Sequence, residues 1–513
     1  MSHSRPLTSG SYTALIVLAL ALGLRLYGLG HQSLWIDEVA SLRVATQPMH
    51  DIIFNYRPGM HPDRGAEQAP LALAVMHLFL SPSVSEASAR LPSALLGALT
   101  VALLYFFARR LFGAPVALLA ALFLALSPLH VWYSQEARWY AQWILLALLS
   151  YWALLSAWET GSRRAWLAYW LCTTLNVYTF ILTFLVITCQ GVSVLLFDRR
   201  RGNRARLLPR FVLVQAAVGV ACAPVLWMIV KTLGLTTGTP RATRLADLPY
   251  TFFVYVVGYS SGPTAEFLHA LPSLRDILTA YPMVMIFAVV FGPLIVLGVR
   301  RVLREPVAAA VLLPWAFGPV PLAFLISLVS HVTYQARYGG AALPALVLLL
   351  ALGSLSLDGR AWRWGAIAAL LVCSLASLAN YYWDPRYAKE DVKRTVAHIE
   401  AKGLSGTPVA VVGQVDDAVA FYGPALRVVK IEDCSSDAGH TSLGAMLDDD
   451  APLWFVVGRD WDGQAPRCLE RLARSHVPVE RRHFSGVELW LFKPTSGMNE
   501  ASRSTVPPSI GIQ

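Results

Sequence analysis

Apolar runs approaching the length of a membrane-crossing helix recur along most of the chain. They lie near residues 11–30, 91–108, 114–129, 139–158, 165–179, 180–197, 211–230, 281–299, 306–330, 341–357 and 361–381. Roughly 20 apolar residues suffice to span a hydrocarbon core, so the pattern predicts about eleven transmembrane helices. A further run, Pro70 to Leu80, is about half that length and is expected to lie along the bilayer surface as an interfacial helix. The charges between the runs test that choice. With residues 70–80 on the surface, Arg109 and Arg110, Arg163 and Arg164, Arg199 to Arg201 with Arg204 and Arg206, Arg300, Arg301 and Arg304, and Arg360 and Arg363 share one side. The positive-inside rule makes that side the cytoplasm. Letting the short run span would carry Arg109 and Arg110 outside. The N-terminus is then inside and the C-terminus outside, and residues 31–90, 130–138, 231–280 and 331–340 form the outer segments.

From about Tyr381 the pattern changes. A charged stretch, DPRYAKEDVKRTVAHIEAK, reads as an exposed helix, and β-rich runs follow near 408–413, 426–431, 453–458 and 487–492. The expected organisation is a helical polytopic membrane domain over 1–381, a small extracytoplasmic α/β domain over 382–495, and a disordered Ser-, Thr- and Pro-rich tail over 496–513. Composition agrees: 14% of residues are charged and 56% hydrophobic, with mean hydropathy +0.51, more apolar surface than one water-soluble core can hide. The net charge of +10 does not point to nucleic acid, because the basic residues punctuate the apolar runs instead of gathering on a soluble domain. The first run has no clear small-residue cleavage site after it and reads as a retained helix. Cys172, Cys189, Cys222 and Cys373 lie in apolar runs and read as core residues; Cys434 and Cys468 can pair if their domain faces an oxidising compartment.

Ionisable residues crowded among aromatics beside a bilayer edge are the candidates for chemistry. The first outer segment opens HQSLWIDEVASLRVA, with Asp37 and Glu38 adjacent just beyond the first span. An interfacial Trp belt with two solvated acids is the plainer account. The second reads SPLHVWYSQEARWYAQW and holds Glu136 and Arg138 among Trp132, Tyr133, Trp139 and Tyr140; a structural ion pair is the plainer account there. A third, SHVTYQARYGGAALP, places His331, Tyr334 and Arg337 together, and a guanidinium fork suits phosphate oxygens. Helix capping or snorkelling would also explain Arg337.

The runs RLYGLGHQSLWIDEVAS, SEASARLPSALLGALTVALLYFFARRLFG, SPLHVWYSQEARWYA, ARYGGAALPAL and YYWDPRYAKEDVKRTVAHIE resemble, in order and spacing, the bacterial branch of the GT-C membrane glycosyltransferases. These are the family 39-like enzymes related to protein O-mannosyltransferases and to the aminoarabinose transferases of lipid A. The resemblance covers most of residues 20–400. It implies a GT-C fold, a polyprenyl-phosphate sugar donor, chemistry at the outer face of the bacterial cytoplasmic membrane, and a catalytic acid in the first outer segment. Carried over by motif, that acid is Asp37 with Glu38 beside it, and Glu136 matches the second acidic site. One departure stands out: relatives open the interfacial helix with His-Pro-Pro-Leu, whereas this chain has EQAPLALAVMH, with Gln68 and Ala69 in place of His and the first Pro, and His61 nearby but displaced.

A polyprenyl phosphate is already a good leaving group, so the displacement needs a stronger nucleophile and stabilisation of the departing phosphate charge. Asp37 is the expected base. Arg138, Arg337 and Tyr334 are expected on the phosphate, with His331, Gln68 and His61 as further substrate contacts. Glu136 is left to orient the acceptor, hold Arg138, or share a divalent cation, Mg²⁺ or Mn²⁺, with Asp37. Direct displacement with one base inverts the anomeric centre, whereas retention needs a covalent sugar on a carboxylate. The acceptor, whether glycan, lipid or protein hydroxyl, and the sugar stay open. A lipid-linked sugar transporter or flippase would carry ionisable residues within spans and a repeated half. A polysaccharide polymerase or ligase would rely on Arg and His in a large outer loop, which the Asp37–Glu38 pair argues against.

Overall fold

The computed structural model describes residues 9–54, 70–80, 84–201, 207–232, 243–263, 267, 273–281, 283–330, 333–404, 406–432, 434, 442–447, 451–461 and 463–495. His61, Gln68, His331 and the tail 496–513 lie outside them. The chain divides into two compact units, Met1–Leu29 with Val44–Tyr382 and Gly30–Arg43 with Trp383–Gln513.

The first unit is helical. Each of the eleven apolar runs coincides with a helix or a broken pair of helices, from Ser9–Leu26 to Arg360–Trp383. Among the described residues, five helices are long and apolar enough to cross a membrane, or six if the bent pair Ala114–Ala125 and Pro128–Ser134 counts as one span. The eleven runs are therefore helical, but the expected count of eleven spans exceeds the five or six helices of spanning length among the described residues. Pro70–Phe79 forms the short helix expected beside them, burying Ala72, Leu73 and Met76.

Burial sorts the spans. Leu343–Leu355 is apolar on every face and enclosed along almost its whole length, so it lies at the centre. Arg360–Trp383 is largely exposed and turns Trp362, Trp364, Val372 and Leu375 outward, as a helix facing lipid does. Small residues let two backbones meet. A Cβ on Gly298 would collide with the carbonyl of Leu349, and one on Gly353 with that of Leu294, so Met283–Val302 and Leu343–Leu355 can approach this closely only because both positions are glycine.

The second unit contains a five-stranded sheet of strands β1 (Val409–Gly413), β2 (Val428–Ile431), β3 (Leu453–Gly458), β4 (His476–Phe484) and β5 (Val487–Pro494). Their order is β2-β1-β3-β5-β4; β1 is parallel to β2 and β3, while β5 is antiparallel to β3 and β4. The four expected β runs are all strands. The charged HVPVERRHF adds β4 at the edge, where charged side chains suit a strand with one unpaired side. The expected exposed helix is shorter than its charged stretch: it runs Val392–Ala401 and buries Val392, Thr395, Val396 and Ile399. Cys434 and Cys468 form a disulfide within one apolar cluster.

Candidate active site

In the helical unit the candidate residues gather after a break. The helix Ala114–Ala125 stops, and Pro128–Ser134 departs from it at 59°. Pro128 at a helix start lacks only an N–H that would be unsatisfied there, and Ser127 caps that start by accepting from the His130 N–H. Carbonyls at the break are taken by Arg25, fully buried near the end of the first helix; that of Leu124 also accepts from the Ser127 N–H. Its guanidinium donates to Ala125 O and Leu124 O, each at 3.2 Å, to Ala21 O at 2.8 Å, to Ser134 Oγ at 3.2 Å and to His130 Nδ1 at 2.7 Å. The Gln135 side-chain amide adds bonds to the carbonyls of Leu24, Arg25 and Tyr27. Gly97 faces Ser134 and Arg25 so closely that a Cβ there would collide with the Ser134 hydroxyl. Hydrogen bonds to a charged donor contribute about 1.5–3 kcal/mol each, so this network fixes the turn from which residues 132–140 project.

Glu136 comes next in the chain and is buried, and its Oε1 accepts from Trp132 Nε1 at 2.9 Å. Trp132 packs edge-on against Tyr259. The Tyr133 and Tyr259 hydroxyls are 3.0 Å apart, and the Tyr133 ring lies 4.6 Å from that of Tyr140. Arg337 enters from the 3₁₀ segment Ala336–Ala342, its guanidinium 5.9 Å from the Tyr140 ring. Tyr259 registers both charges. Burial pushes its phenol up; the Tyr133 hydrogen bond and Arg337 oppose that push, and Glu136 adds to it. An acid, a guanidinium and three phenols thus share one neighbourhood within this unit.

The other expected members are placed differently. Arg138 is buried with its guanidinium 3.7 Å from the Trp139 ring. Its carbonyl accepts from Ser93 Oγ at 3.0 Å. Tyr334 sits among Leu185, Ala323 and Phe324, its hydroxyl 2.8 Å from Thr251 Oγ1. Burial raises the Tyr334 phenol to about 12.

The acidic pair belongs to the second unit, in the first turn of the helix Ile36–Ala45. The structure separates the two acids. Glu38 is fully buried; its Oε2 accepts from Lys389 Nζ at 2.9 Å and from the Trp35 N–H at 3.3 Å. The second bond is half of a capping box, since Trp35 immediately precedes the helix. Asp37 is half-buried. Among the described residues no group of three or more His, Cys, Asp and Glu side chains is arranged to hold a metal ion.

Sequence reasoning missed Arg25, Tyr259 and Lys389. Arg25 had a signal, as a lone charge inside the first apolar run; Tyr259 sits in a long outer segment and Lys389 in a charged stretch, and neither stood out there.

Residues 67–229 match the family model for dolichyl-phosphate-mannose-protein mannosyltransferases, a stretch that includes Glu136 and Arg138. No curated protein matches the sequence. Among solved structures, ArnT from Cupriavidus metallidurans in the apo state matches with TM-score 0.61 at 14% identity, over 94% of this chain and 98% of that one. ArnT bound to undecaprenyl phosphate matches with TM-score 0.55 at 15% identity, over 94% and 98%. The archaeal oligosaccharyltransferase AglB from Archaeoglobus fulgidus, in complex with an inhibitory peptide and a dolichol-phosphate, matches with TM-score 0.53 at 12% identity, over 96% of this chain and 75% of that one. The resemblance to GT-C membrane glycosyltransferases is thus found both in a family model and in the fold.

Proposed function

We propose that this multi-pass membrane protein is a glycosyltransferase that moves a sugar from a polyprenyl-phosphate donor to an acceptor hydroxyl, with inversion, at the outer face of the cytoplasmic membrane. The observation that carries the reading is the cluster of Glu136, Arg337 and three tyrosines in a fold shared with a protein that binds undecaprenyl phosphate. The carboxylate of Asp37 takes the proton of the acceptor hydroxyl as its oxygen attacks the anomeric carbon. The bond from that carbon to the phosphate oxygen breaks, and its electron pair leaves with the polyprenyl phosphate. Arg337 and Arg138 offset the charge that accumulates on the phosphate, a role suited to planar guanidinium forks. Glu136, held by Trp132, orients the acceptor. Tyr334 and the segments bearing His61, Gln68 and His331 contribute further substrate contacts, and the prenyl chain lies near residues 70–80.

The test uses membranes bearing the protein, given a radiolabelled polyprenyl-phosphate sugar. Label should move to a new acceptor, and Arg337→Ala should reduce that transfer about a hundredfold, the scale of losing one charge-stabilising group. Label that crosses the membrane still on its lipid, with no new glycoside, would make the protein a transporter and end the reading.

A further inference from the structure

The second unit grips the helix that carries the acidic pair. Its parallel strands stand in the order β2-β1-β3, so the chain path reverses beside β1. In open α/β sheets the carboxyl ends of strands flanking such a reversal are the usual ligand site. Here the segments leaving those ends hold the protein's own residues 34–43. After β3, the Arg459 guanidinium lies 4.7 Å from the Trp35 ring and is tied to Glu390. After β1, Asp417 takes Arg43 Nη1 at 2.6 Å, and the Tyr422 hydroxyl accepts from the Leu34 N–H at 2.8 Å. Between these contacts lies the buried ion pair of Glu38 and Lys389.

We propose that the C-terminal unit is a clamp on the helix Ile36–Ala45, in which Glu38 is the residue held and Asp37 the residue presented. This rests on the reading of Asp37 as the base. Consecutive helical residues point about 100° apart, so drawing Glu38 inward onto Lys389 turns Asp37 toward a different face. Glu38 is then a positioning residue, although it neighbours the reacting acid in sequence. The ion pair supplies the precision. Removing one partner strands a buried charge, whereas removing both leaves no uncompensated charge.

The experiment compares purified full-length protein with Lys389→Met, Glu38→Gln and the double variant, using labelled polyprenyl-phosphate sugar. Amide hydrogen exchange over residues 36–45 is measured alongside. Each single variant should lower kcat on the order of tenfold to a hundredfold with KM for the donor unchanged. Exchange should quicken in 36–45 and stay as it was in β1 to β5. The double variant should return kcat to within about threefold of the original, a non-additivity expected of paired groups. Glu38→Gln that stays equally inactive with Lys389→Met, at unchanged exchange, would make Glu38 a reacting group and overturn the clamp. Single variants with unaltered kcat and exchange would overturn it as well. Asp37→Asn run in parallel separates the two claims: transfer surviving that change removes the base assignment, while the exchange data still read the clamp.

Discussion

Glu136 and Glu38 look alike in the sequence, each an acid beside tryptophan just past an apolar run, yet they are held in different ways. Glu136 is buried among aromatic side chains and takes a neutral indole N–H, in a cluster whose cation, Arg337, comes from a distant segment of the same unit. Glu38 is buried against a lysine of the C-terminal unit and caps its own helix. An acid near an aromatic belt thus carries no role by itself; its surroundings decide it. Glu38 is tied to a buried ammonium from a distant part of the chain, whereas Glu136 sits among phenols and an indole beside the segment that bears Arg138.

Four sets of substitutions probe how the two regions are held, taken in decreasing order of effect. Arg25→Met removes the guanidinium that closes the break before Glu136, taking a donor from the Ala125 carbonyl and leaving that of Leu124 with only the Ser127 N–H. The expected loss is about 4 kcal/mol of stability. It should appear as exchange in residues 124–136 while residues 36–45 keep their protection. Cys434→Ser with Cys468→Ser acts on the other side of the comparison. It frees a 34-residue separation and should cost the C-terminal unit about 3 kcal/mol, read by reductant-sensitive thermal unfolding of that unit. Glu136→Gln keeps the shape and the Trp132 bond but removes the charge, so transfer should fall about a hundredfold, close to 3 kcal/mol of barrier, with folding unchanged. An equal fall for the Glu38→Gln, Lys389→Met pair would erase the contrast.

The smallest effect is a pH response confined to the C-terminal unit. Burial pushes the Glu480 carboxyl up, but hydrogen bonds from Lys402, Arg482 and His398 outweigh it and hold the group at about 2 instead of its ordinary 4.5. Because the folded value is the lower one, the stabilisation is fully present above 4.5 and is lost as pH falls from there toward 2. Glu480→Gln should flatten the unfolding midpoint of this unit across that window, lowering it near neutrality, where the charge stabilises fully, and meeting the original protein as pH approaches 2.

The helices were legible because lipid-facing and core positions are both apolar, so a span needs no partner to announce itself. The short helix Pro70–Phe79 and four of the five strands were legible for the same local reason. What escaped depends on distance along the chain. Lys389 sits 351 residues from Glu38, and nothing in AKEDVKRT marks one lysine for burial. Strand β4 hid because its charges suit an edge as well as a loop. The assignment of residues 30–43 to the C-terminal unit likewise depends on long-range contacts, such as Arg43 with Asp417, that no window of sequence contains. Of the expected site, Glu136 and Arg337 do share a neighbourhood, whereas the Tyr334 hydroxyl meets Thr251 inside an apolar cluster, a partner that residue type alone could not disclose.

In the proposed mechanism Asp37 accepts the acceptor's proton. Purified Asp37→Asn protein, given a labelled polyprenyl-phosphate sugar and an acceptor, should bind the donor as tightly as the original. It should transfer sugar about 10²- to 10⁴-fold more slowly, the usual contribution of a general base. Transfer at the original rate, with donor binding intact, would contradict it.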